Sequence, residues 1–370
     1  MLNVNIFLSF FSLLCLLQIS YFLFIVRAFL KHKNTFDAEN VNDLELDFLF
    51  AVKDEINNVE LVVKSLLKQS VFQESSSVRI IFVNDHSEDG TAALTGELEA
   101  KFPKKILSLD LPDGVSGKKA AINYGMEHTS NYVILLDADC RPATVDWALI
   151  MAKKLEKSDI VIGYGPFFKE QSLLNRLIRF ECMWIATQYF GWNQKKKPYM
   201  GVGRNMAVKR DVHRDISSKV TGSNLISGDD DLFIKAAAGE STVDSVIDTR
   251  SFVYSAAENS YRAYINQKRR QISTSVYYKL YHQIALAIDA GVKILWPFLL
   301  VGIWCMLPAS IAITCTLVFG VIQYVVHISF IRKLEERDLI VFLPLLVLLY
   351  GLHLSILAAY TLFSKNIRWK

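Results

Sequence analysis

The sequence has few cysteines, and none of them is spaced as a pair. Five cysteines occur among 370 residues, and no Cys-x-x-Cys motif is present. Cys15, Cys305 and Cys315 fall in apolar stretches, whereas Cys140 and Cys182 lie far apart in the sequence. This spacing excludes a disulfide framework and the common zinc-finger patterns, and it is typical of a protein in a reducing compartment.

Net charge is also small. The chain has 41 lysines and arginines and 37 aspartates and glutamates, so its net charge is +4. No zinc-finger, RNA-binding or basic-helix signature is present, and we therefore expect no nucleic-acid partner. A Walker phosphate loop is absent too, because the Gly117-Lys118 pair lacks both the upstream glycine and the following serine or threonine.

Charged residues are missing from long stretches at both ends of the chain. Hydrophobic residues make up 52% of the sequence, and the mean hydropathy is +0.25. The stretch from Ile6 to Val26 is uncharged and long enough to cross a bilayer core of about 30 Å. It has no basic segment before it and no small-residue cleavage site after it. We therefore expect residues 1–30 to hold a retained membrane anchor.

The C-terminal part predicts further spans. Residues 294–331 are uncharged and fit two spans with a turn at Pro308, and residues 339–363 fit another. We expect residues 276–370 to form an interfacial helix and about three transmembrane helices. The spans show almost no ionisable side chains beyond His327 and His353, which makes a transporter the weakest alternative.

Basic residues indicate the orientation in the membrane. They follow the first apolar stretch directly, which predicts a multi-pass protein of the cell (inner or plasma) membrane with its central domain in the cytoplasm. A second basic group at the end of the chain conflicts with four spans, so the side on which the C-terminus lies stays open. The first group is Arg27, Lys31 and Lys33, and the second is Lys365, Arg368 and Lys370.

Residues 45–275 have the pattern of an α/β domain. Short apolar runs at 47–52, 79–83 and 133–136 are typical of strands buried on both faces, as in a parallel sheet covered by helices. Segments with helical periodicity follow these runs. Repeated strand–helix units of this size predict a Rossmann-like, mostly parallel sheet with a nucleotide-binding edge.

Two carboxylates end the third of these strands. Asp137 and Asp139 are one residue apart, and alternate side chains of a strand share a face. Ligands of α/β folds bind beyond the carboxyl ends of parallel strands, and paired hard oxygen donors there suit Mg²⁺ or Mn²⁺ that also holds a phosphate. A solvated acidic turn is the alternative.

Other candidates lie at strand ends and helix starts. Glu55 and Asp85 end the first two strands and can accept hydrogen bonds from a uracil edge or a ribose, although caps and turns use the same residues. Lys118 opens a helix, where backbone N–H groups and an ammonium attract phosphate. Gly203 and Asn205 lie in a glycine-spaced turn that predicts either close approach to a ligand or a tight hairpin.

Acidic and amide residues mark two later helices. Asp229 and Asp230 belong to a run of three aspartates at a helix start, where crowding raises a carboxyl pKa toward that of a general base. A solvated helix start is the alternative. In the helix 261–274, Gln267 and Arg270 share a face and Gln271 is near them. On this helix Lys268 and Arg269 are expected to face lipid headgroups.

Placed in this order, the motifs resemble family 2 glycosyltransferases with a GT-A fold. The similar branch is membrane-embedded and includes cellulose, chitin and hyaluronan synthases and ceramide glucosyltransferases. The run from Val83 to Thr91 resembles V-D-D-x-S-x-D-x-T with Asn84 in place of the first Asp. The D-x-D, G-D-D and Q-x-x-R-W elements are matched by Asp137 to Asp139, Gly228 to Asp230, and Gln267 to Gln271, with Gln271 in place of the Trp.

The resemblance implies an inverting, hexosyltransferase-type transfer from a UDP-sugar to a lipid, lipid-linked or saccharide acceptor, with Mg²⁺ or Mn²⁺. A processive polysaccharide synthase is the alternative within this class, and a nucleotide-binding membrane sensor without catalysis is the alternative outside it. The predicted site has a catalytic part (Asp230, Asp229), a metal part (Asp139, Asp137), a donor part (Glu55, Asp85, Lys118, Asp137, Gln267, Arg270) and an acceptor part (Gly203, Asn205, Gln271).

Overall fold

A mixed sheet forms the centre of the α/β part of the chain. The computed structural model describes residues 2–32, 44–220 and 229–363. Its strands are β1 (Leu46–Val52), β2 (Val78–Asn84), β3 (Ile106–Asp110), β4 (Tyr132–Leu135), β5 (Arg141–Pro142), β6 (Ile160–Ile162), β7 (Met206–Lys209), β8 (Val243–Ser245) and β9 (Val253–Tyr254). Seven of them form one sheet in the order β3-β2-β1-β4-β7-β6-β8, and β5 pairs with β9.

The sheet is mostly parallel. β3, β2, β1 and β4 run in the same direction, whereas β7 is antiparallel to both of its neighbours, β4 and β6. β1 is buried along almost its whole length because helices cover both faces of the sheet. The predicted Rossmann-like α/β fold is therefore confirmed.

Helices surround this sheet and continue into an apolar bundle. They are α1 (Leu2–Tyr21), α2 (Arg27–Leu30), α3 (Ile56–Leu66), α4 (Val71–Glu74), α5 (Thr91–Lys101), α6 (Lys118–Met126), α7 (Trp147–Glu156), α8 (Leu173–Gln194), α9 (Arg210–Lys219), α10 (Asp229–Ala237), α11 (Tyr261–Ile272), α12 (Leu280–Met306), α13 (Ala309–Lys333) and α14 (Leu343–Phe363). A π-helical turn, Phe22–Val26, joins α1 to α2.

The strand register brings the predicted site residues to one edge of the sheet. Val52, the last residue of β1, lies opposite Asn84 of β2, and Leu49 of β1 lies opposite Leu135 of β4. The carboxyl ends of three parallel strands therefore meet at the same edge. The segments that follow these strands carry the candidate carboxylates.

Four helices of the described residues are long and apolar enough to cross a membrane. They are Val4–Leu30, Leu280–Met306, Ala309–Lys333 and Leu343–Thr361. The predicted interfacial helix is not separate, because α12 continues from Leu280 through the second span. The second span thus begins before the predicted start at residue 294 and includes two further ionisable residues. Asp289 and Lys293 form an i,i+4 ion pair within α12, which lets both charges be buried.

The first span packs against spans far along the sequence. Gln18 of α1 exchanges two side-chain hydrogen bonds with Gln323 of α13, at 2.8 and 3.0 Å. The indole N–H of Trp296 in α12 donates to the same Gln18 oxygen at 2.9 Å. These buried amides therefore hold three helices together where water is absent.

Helix α8 connects the sheet to the bundle. Its side chains reach both parts: Tyr189 donates to the carbonyl of Gly163 beside the sheet, and the indole of Trp184 donates to Asp289 of α12. The aromatic side chains of this helix, Phe180, Trp184, Tyr189 and Phe190, are thus packed in the core. Several predicted features lie outside the described residues, namely Lys33, Gly228, the side chain of Asp229, and the basic tail of Lys365, Arg368 and Lys370.

Candidate active site

A cavity of about 1040 Å³ opens beside the carboxyl edge of the sheet and continues between the helices of the bundle. The residues that line its upper part come from α6, the end of β4, the turn before β7, α10 and α11. Most of the predicted site residues are among them: Lys118, Asp137, Gly203, Asp230, Gln267, Arg270 and Gln271.

Lys118 and Asp137 form an ion pair in this cavity. The ammonium of Lys118 donates to Oδ1 of Asp137 at 2.5 Å, and both side chains are partly exposed. Loss of water opposes the charge of Lys118, but Asp137 and Asp230 outweigh this and raise its pKa. The same pairing lowers the pKa of Asp137 against the effect of burial. Lys118 is therefore a positive charge that Asp137 and Asp230 both stabilise.

Asp137, Asp139 and Cys140 form a cluster that fits a divalent cation. Their ligand atoms all lie within 4.8 Å of one another. Burial and the nearby Asp137 raise the pKa of Asp139, because two carboxylates so close disfavour a second negative charge. A cation relieves this repulsion, and carboxylate oxygens are ligands that Mg²⁺ and Mn²⁺ prefer. The thiol of Cys140 lies 3.3 Å from Asp139 and donates to it.

Asp230 is held at the opposite wall by a backbone group. The N–H of Gly203 donates to Oδ2 of Asp230 at 2.9 Å. A Cβ at residue 203 would lie 2.2 Å from that oxygen, so the approach requires glycine. The glycine-spaced turn therefore serves close approach to a side chain of the site.

Asp231 is buried next to Asp230 but is tied to a different segment. Its Oδ2 accepts hydrogen bonds from the hydroxyl groups of Tyr278 at 2.7 Å and Thr274 at 3.2 Å. Burial, with a contribution from Asp230, raises the pKa of Asp231 to about 7. This residue links α10 to the segment between α11 and α12.

Asp85 and Glu55 lie at the ends of β2 and β1. Oδ2 of Asp85 accepts from the N–H of Gly117 at 2.9 Å, whereas its buried Oδ1 has no hydrogen-bond partner within the described ranges. Such an orphaned acceptor indicates a missing donor, as a bound nucleobase would supply. The side chain of Glu55 accepts a hydrogen bond from Asn58. Burial raises the pKa of Glu55, and the negative charges of Asp139 and Asp137 raise it further.

Three predictions about polar residues need correction. Asn205 does not reach the cavity, because its buried amide donates to the carbonyls of Tyr164 and Ser251 and accepts from Trp147. Lys268 and Arg269 do not face lipid headgroups. Both are buried: Lys268 lies 3.4 Å from Glu181, and Arg269 lies over the ring of Tyr360. Helical periodicity alone does not show which face of α11 is buried.

Arg204 is a site residue that no sequence motif indicated. It lines the cavity next to Gly203, its guanidinium donates to the carbonyl of Gly165, and it lies 4.7 Å from the centre of the Phe167 ring. Its charge contributes to the lowered pKa of Asp137. The only sequence signal for this role was the position of Arg204 in the turn before β7, because β7 pairs with β4.

Comparisons with known proteins agree with this geometry. The sequence profile described as Glycosyl transferase family 2 matches residues 48–217. The probable glycosyltransferase YdaM of Bacillus subtilis (strain 168) is 28% identical over 208 residues, which cover 52% of this chain and 48% of YdaM. The minor teichoic acid biosynthesis protein GgaB of the same organism is 30% identical over 104 residues, which are 27% of this chain and 11% of GgaB. The match thus spans about half the length of YdaM and about a tenth of GgaB.

A solved structure supports the fold over nearly the whole chain. The mannosyltransferase PcManGT from Pyrobaculum calidifontis, determined with GDP-Man and Mn²⁺, superposes with a TM-score of 0.62 at 14% identity, over 98% of this chain and 99% of that one. The match includes the apolar helices as well as the sheet, and it confirms a GT-A-like fold. Residues 48–217 of this chain are therefore a glycosyl transferase family 2 domain.

Proposed function

We propose that this chain transfers a sugar from a UDP-sugar to a hydroxyl group of a lipid or lipid-linked acceptor at the membrane. One observation carries the proposal. Asp137, the backbone-held Asp230 and Lys118 line one cavity, and Asp139 lies beside Asp137, with their ligand atoms within 4.8 Å of each other. Glycosyl transfer with inversion needs carboxylates that bind a cation and a separate carboxylate that removes a proton.

Asp230 acts as the general base in this proposal. It takes the proton of the acceptor hydroxyl as that oxygen attacks the anomeric carbon from the face opposite UDP. The bond between the anomeric carbon and the UDP oxygen breaks, and UDP leaves with its negative charge. The donated N–H of Gly203 fixes the orientation of the base without neutralising it.

Cations of the chain stabilise the departing diphosphate. Lys118, Arg204 and Arg270 line the upper cavity near the carboxylates and supply charge at fixed positions. Asp137 and Asp139 would hold a Mg²⁺ or Mn²⁺, which when bound adds positive charge next to the diphosphate. PcManGT was solved with Mn²⁺ and a nucleotide sugar, which agrees with this role.

The nucleoside lies at the ends of β1 and β2 in this proposal. The unpartnered Oδ1 of Asp85 is placed to accept the N–H of a uracil ring, and Glu55 is near enough to the carboxylate pair to contact the ribose. The open acceptor of Asp85 favours a base that offers a ring N–H donor, which both uracil and guanine do. The choice of UDP rests on the resemblance of the Val83–Thr91 motif.

The test is release of UDP from a panel of UDP-sugars by the purified full chain in detergent with a native lipid extract. We expect release with one sugar, dependent on Mn²⁺ or Mg²⁺. Asp139→Asn should lose metal-dependent release, and Asp230→Asn should bind UDP normally but lose at least about 100-fold in transfer. Asp215→Asn is the matched control, because its side chain is 70% exposed on α9.

Three outcomes would contradict the proposal. Binding of UDP without turnover of any donor would favour a non-catalytic sensor. High-mass polymer instead of a lipid-extractable product would indicate a polysaccharide synthase. Full turnover by Asp230→Asn would remove the assignment of the base while leaving the transferase itself intact.

A further inference from the structure

The cavity has a lower part that sugar transfer from a nucleotide does not use. This lower part is lined by α8, α12 and α14, beyond the carboxylates described above. Its lining residues are Ile185, Gln188, Leu286, Ala287, Asp289, Ala290, Tyr350 and Leu354. These helices include two of the candidate spans, so the lower part lies within the apolar bundle.

The cavity opens to the outside through apolar residues. Ile272 and Val276 line the cavity and are 37% and 67% exposed, and Ala287 on the facing turn of α12 is exposed as well. An aqueous substrate gains nothing from such a rim, whereas the tail of a lipid is stabilised by it. We define these three residues as the apolar mouth of the cavity.

The charges of the lower part select against a phosphate. Asp289 lines it, and its countercharge Lys293 lies behind it over the ring of Trp184 and does not line the cavity. Lys268 on α11 does line the cavity, but it is paired with Glu181 at 3.4 Å. Within the described residues the lower part thus offers a carboxylate, amide and phenol groups, but no uncompensated positive charge.

We propose that the lower part binds the acceptor, and that the acceptor is a lipid without net charge that carries hydroxyl groups. Its tail enters through the apolar mouth, and its polar head lies against Gln188 and Asp289 with one hydroxyl directed at Asp230. Hydroxyl groups donate to a carboxylate, whereas a lipid phosphate would find no available cation here, because Asp289 and Glu181 already pair with Lys293 and Lys268. This inference rests on the proposed function, since it names the acceptor of that reaction.

The experiment separates a native lipid extract by anion exchange into a fraction without net charge and a phosphate-bearing fraction. Each is added to the purified chain with the UDP-sugar that it turns over, and UDP release is compared with the slow release to water alone. We expect at least about tenfold stimulation by the uncharged fraction and none by the other. Stimulation by the phosphate-bearing fraction alone would overturn the inference.

Variants of α12 test the position of the site. Ala290→Trp fills the lower part and should abolish the stimulation of UDP release by lipid. Ile288→Trp is the matched control, because Ile288 is 43% exposed on the same helix and does not line the cavity. Retained stimulation in Ala290→Trp would also overturn the inference.

A second variant guards against misfolding. Ala287→Trp changes the rim rather than the interior and should raise the lipid concentration needed for half-maximal stimulation at least about fivefold. An unchanged concentration dependence in this variant would count against entry through the apolar mouth. Absence of UDP release with every donor, with or without lipid, would instead contradict the proposed function, so the two failures are distinguishable.

Discussion

At the scale of single residues, Gly203 decides where Asp230 lies. Any side chain at residue 203 overlaps the Asp230 carboxylate, and both of them line the cavity. We predict that Gly203→Ala displaces the carboxylate and lowers UDP release by about 100-fold with little change in the melting temperature. Gly96→Ala is the control, because a Cβ there meets nothing within 4 Å. Equal activity of the two variants would show that Asp230 tolerates the displacement.

Asp231 should make stability depend on pH. Its pKa is raised to about 7 in the folded chain, above the value of about 3.9 expected in an unfolded chain. The folded state therefore binds the proton more tightly, and stability falls as the pH rises from about 4 to about 7. Asp231→Asn does not titrate. We therefore predict that its free energy of unfolding, relative to that of the unmodified chain, rises by on the order of 2–3 kcal/mol between pH 5 and pH 8.

The test is to measure the stability of both chains by thermal unfolding in detergent at pH 5 and pH 8. The Asn oxygen still accepts from Tyr278 and Thr274, and the loss of the hydrogen bond from the Gly201 N–H affects stability equally at both pH values. Asp215→Asn should follow the unmodified chain at both pH values. A constant difference between Asp231→Asn and the unmodified chain would show that the carboxyl does not titrate in this range.

Residues at strand ends could be predicted from the sequence, and residues in turns could not. Asp137 and Asp139 follow an apolar run, so their position beyond a parallel strand followed from that pattern, and Lys118 opens the preceding helix. Arg204 and Asn205 are neighbours in one turn, yet one lines the cavity and the other is buried beneath it. Which of the two faces outward depends on the pairing of β7 with β4, which is a contact between distant segments.

At the scale of elements, a buried ion pair fastens α8 to the loop between α13 and α14. Arg179 donates to Glu336, and their side chains are 1% and 2% exposed. We predict that Arg179→Met destabilises the chain by about 3–5 kcal/mol, because it leaves a buried carboxylate without a partner. The double variant Arg179→Met/Glu336→Gln should recover part of this loss. Thermal unfolding of the two variants in detergent is the measurement, and additive losses would contradict the pairing.

The sequence predicted strands that are continuous apolar runs better than strands of mixed polarity. β1, β2 and β4 are of the first kind, and their positions agree with the structure. β3 was not predicted, because its sequence Ile-Leu-Ser-Leu-Asp is only partly apolar and only partly buried. The start of α12 was placed too late because Asp289 and Lys293 interrupt the apolar pattern. The two residues are four positions apart, so they pair, and can be buried, only when the segment is helical.

At the scale of the whole molecule, the bundle predicts which helix ends share a side of the membrane. The ammonium of Lys333, at the end of α13, donates to the carbonyls of Phe29 and His32 after the first span. Basic residues thus gather at the end of the bundle that adjoins the catalytic domain, and we propose that this end is cytoplasmic. Cys305, exposed near the other end of α12, then lies outside.

We predict that a membrane-impermeant maleimide labels this chain in intact cells, and that Cys305→Ser abolishes the labelling. The remaining cysteines are buried or partly buried, which protects them from the reagent. Labelling of Cys305 only after the cells are opened would place the catalytic domain on the outer side.

The amide contacts between Gln18 and Gln323 also fix the order in which the protein can be completed during synthesis. The first helix is synthesised well before Gln323, which lies 305 positions after Gln18 in the sequence. Until α13 is inserted, Gln18 has no partner on that helix, and the catalytic domain folds while tethered by a lone span. The lower part of the cavity, whose walls include α12 and α14, is complete only when these later helices are in place. A nascent chain that has already formed its predicted nucleotide site therefore still lacks the proposed acceptor site.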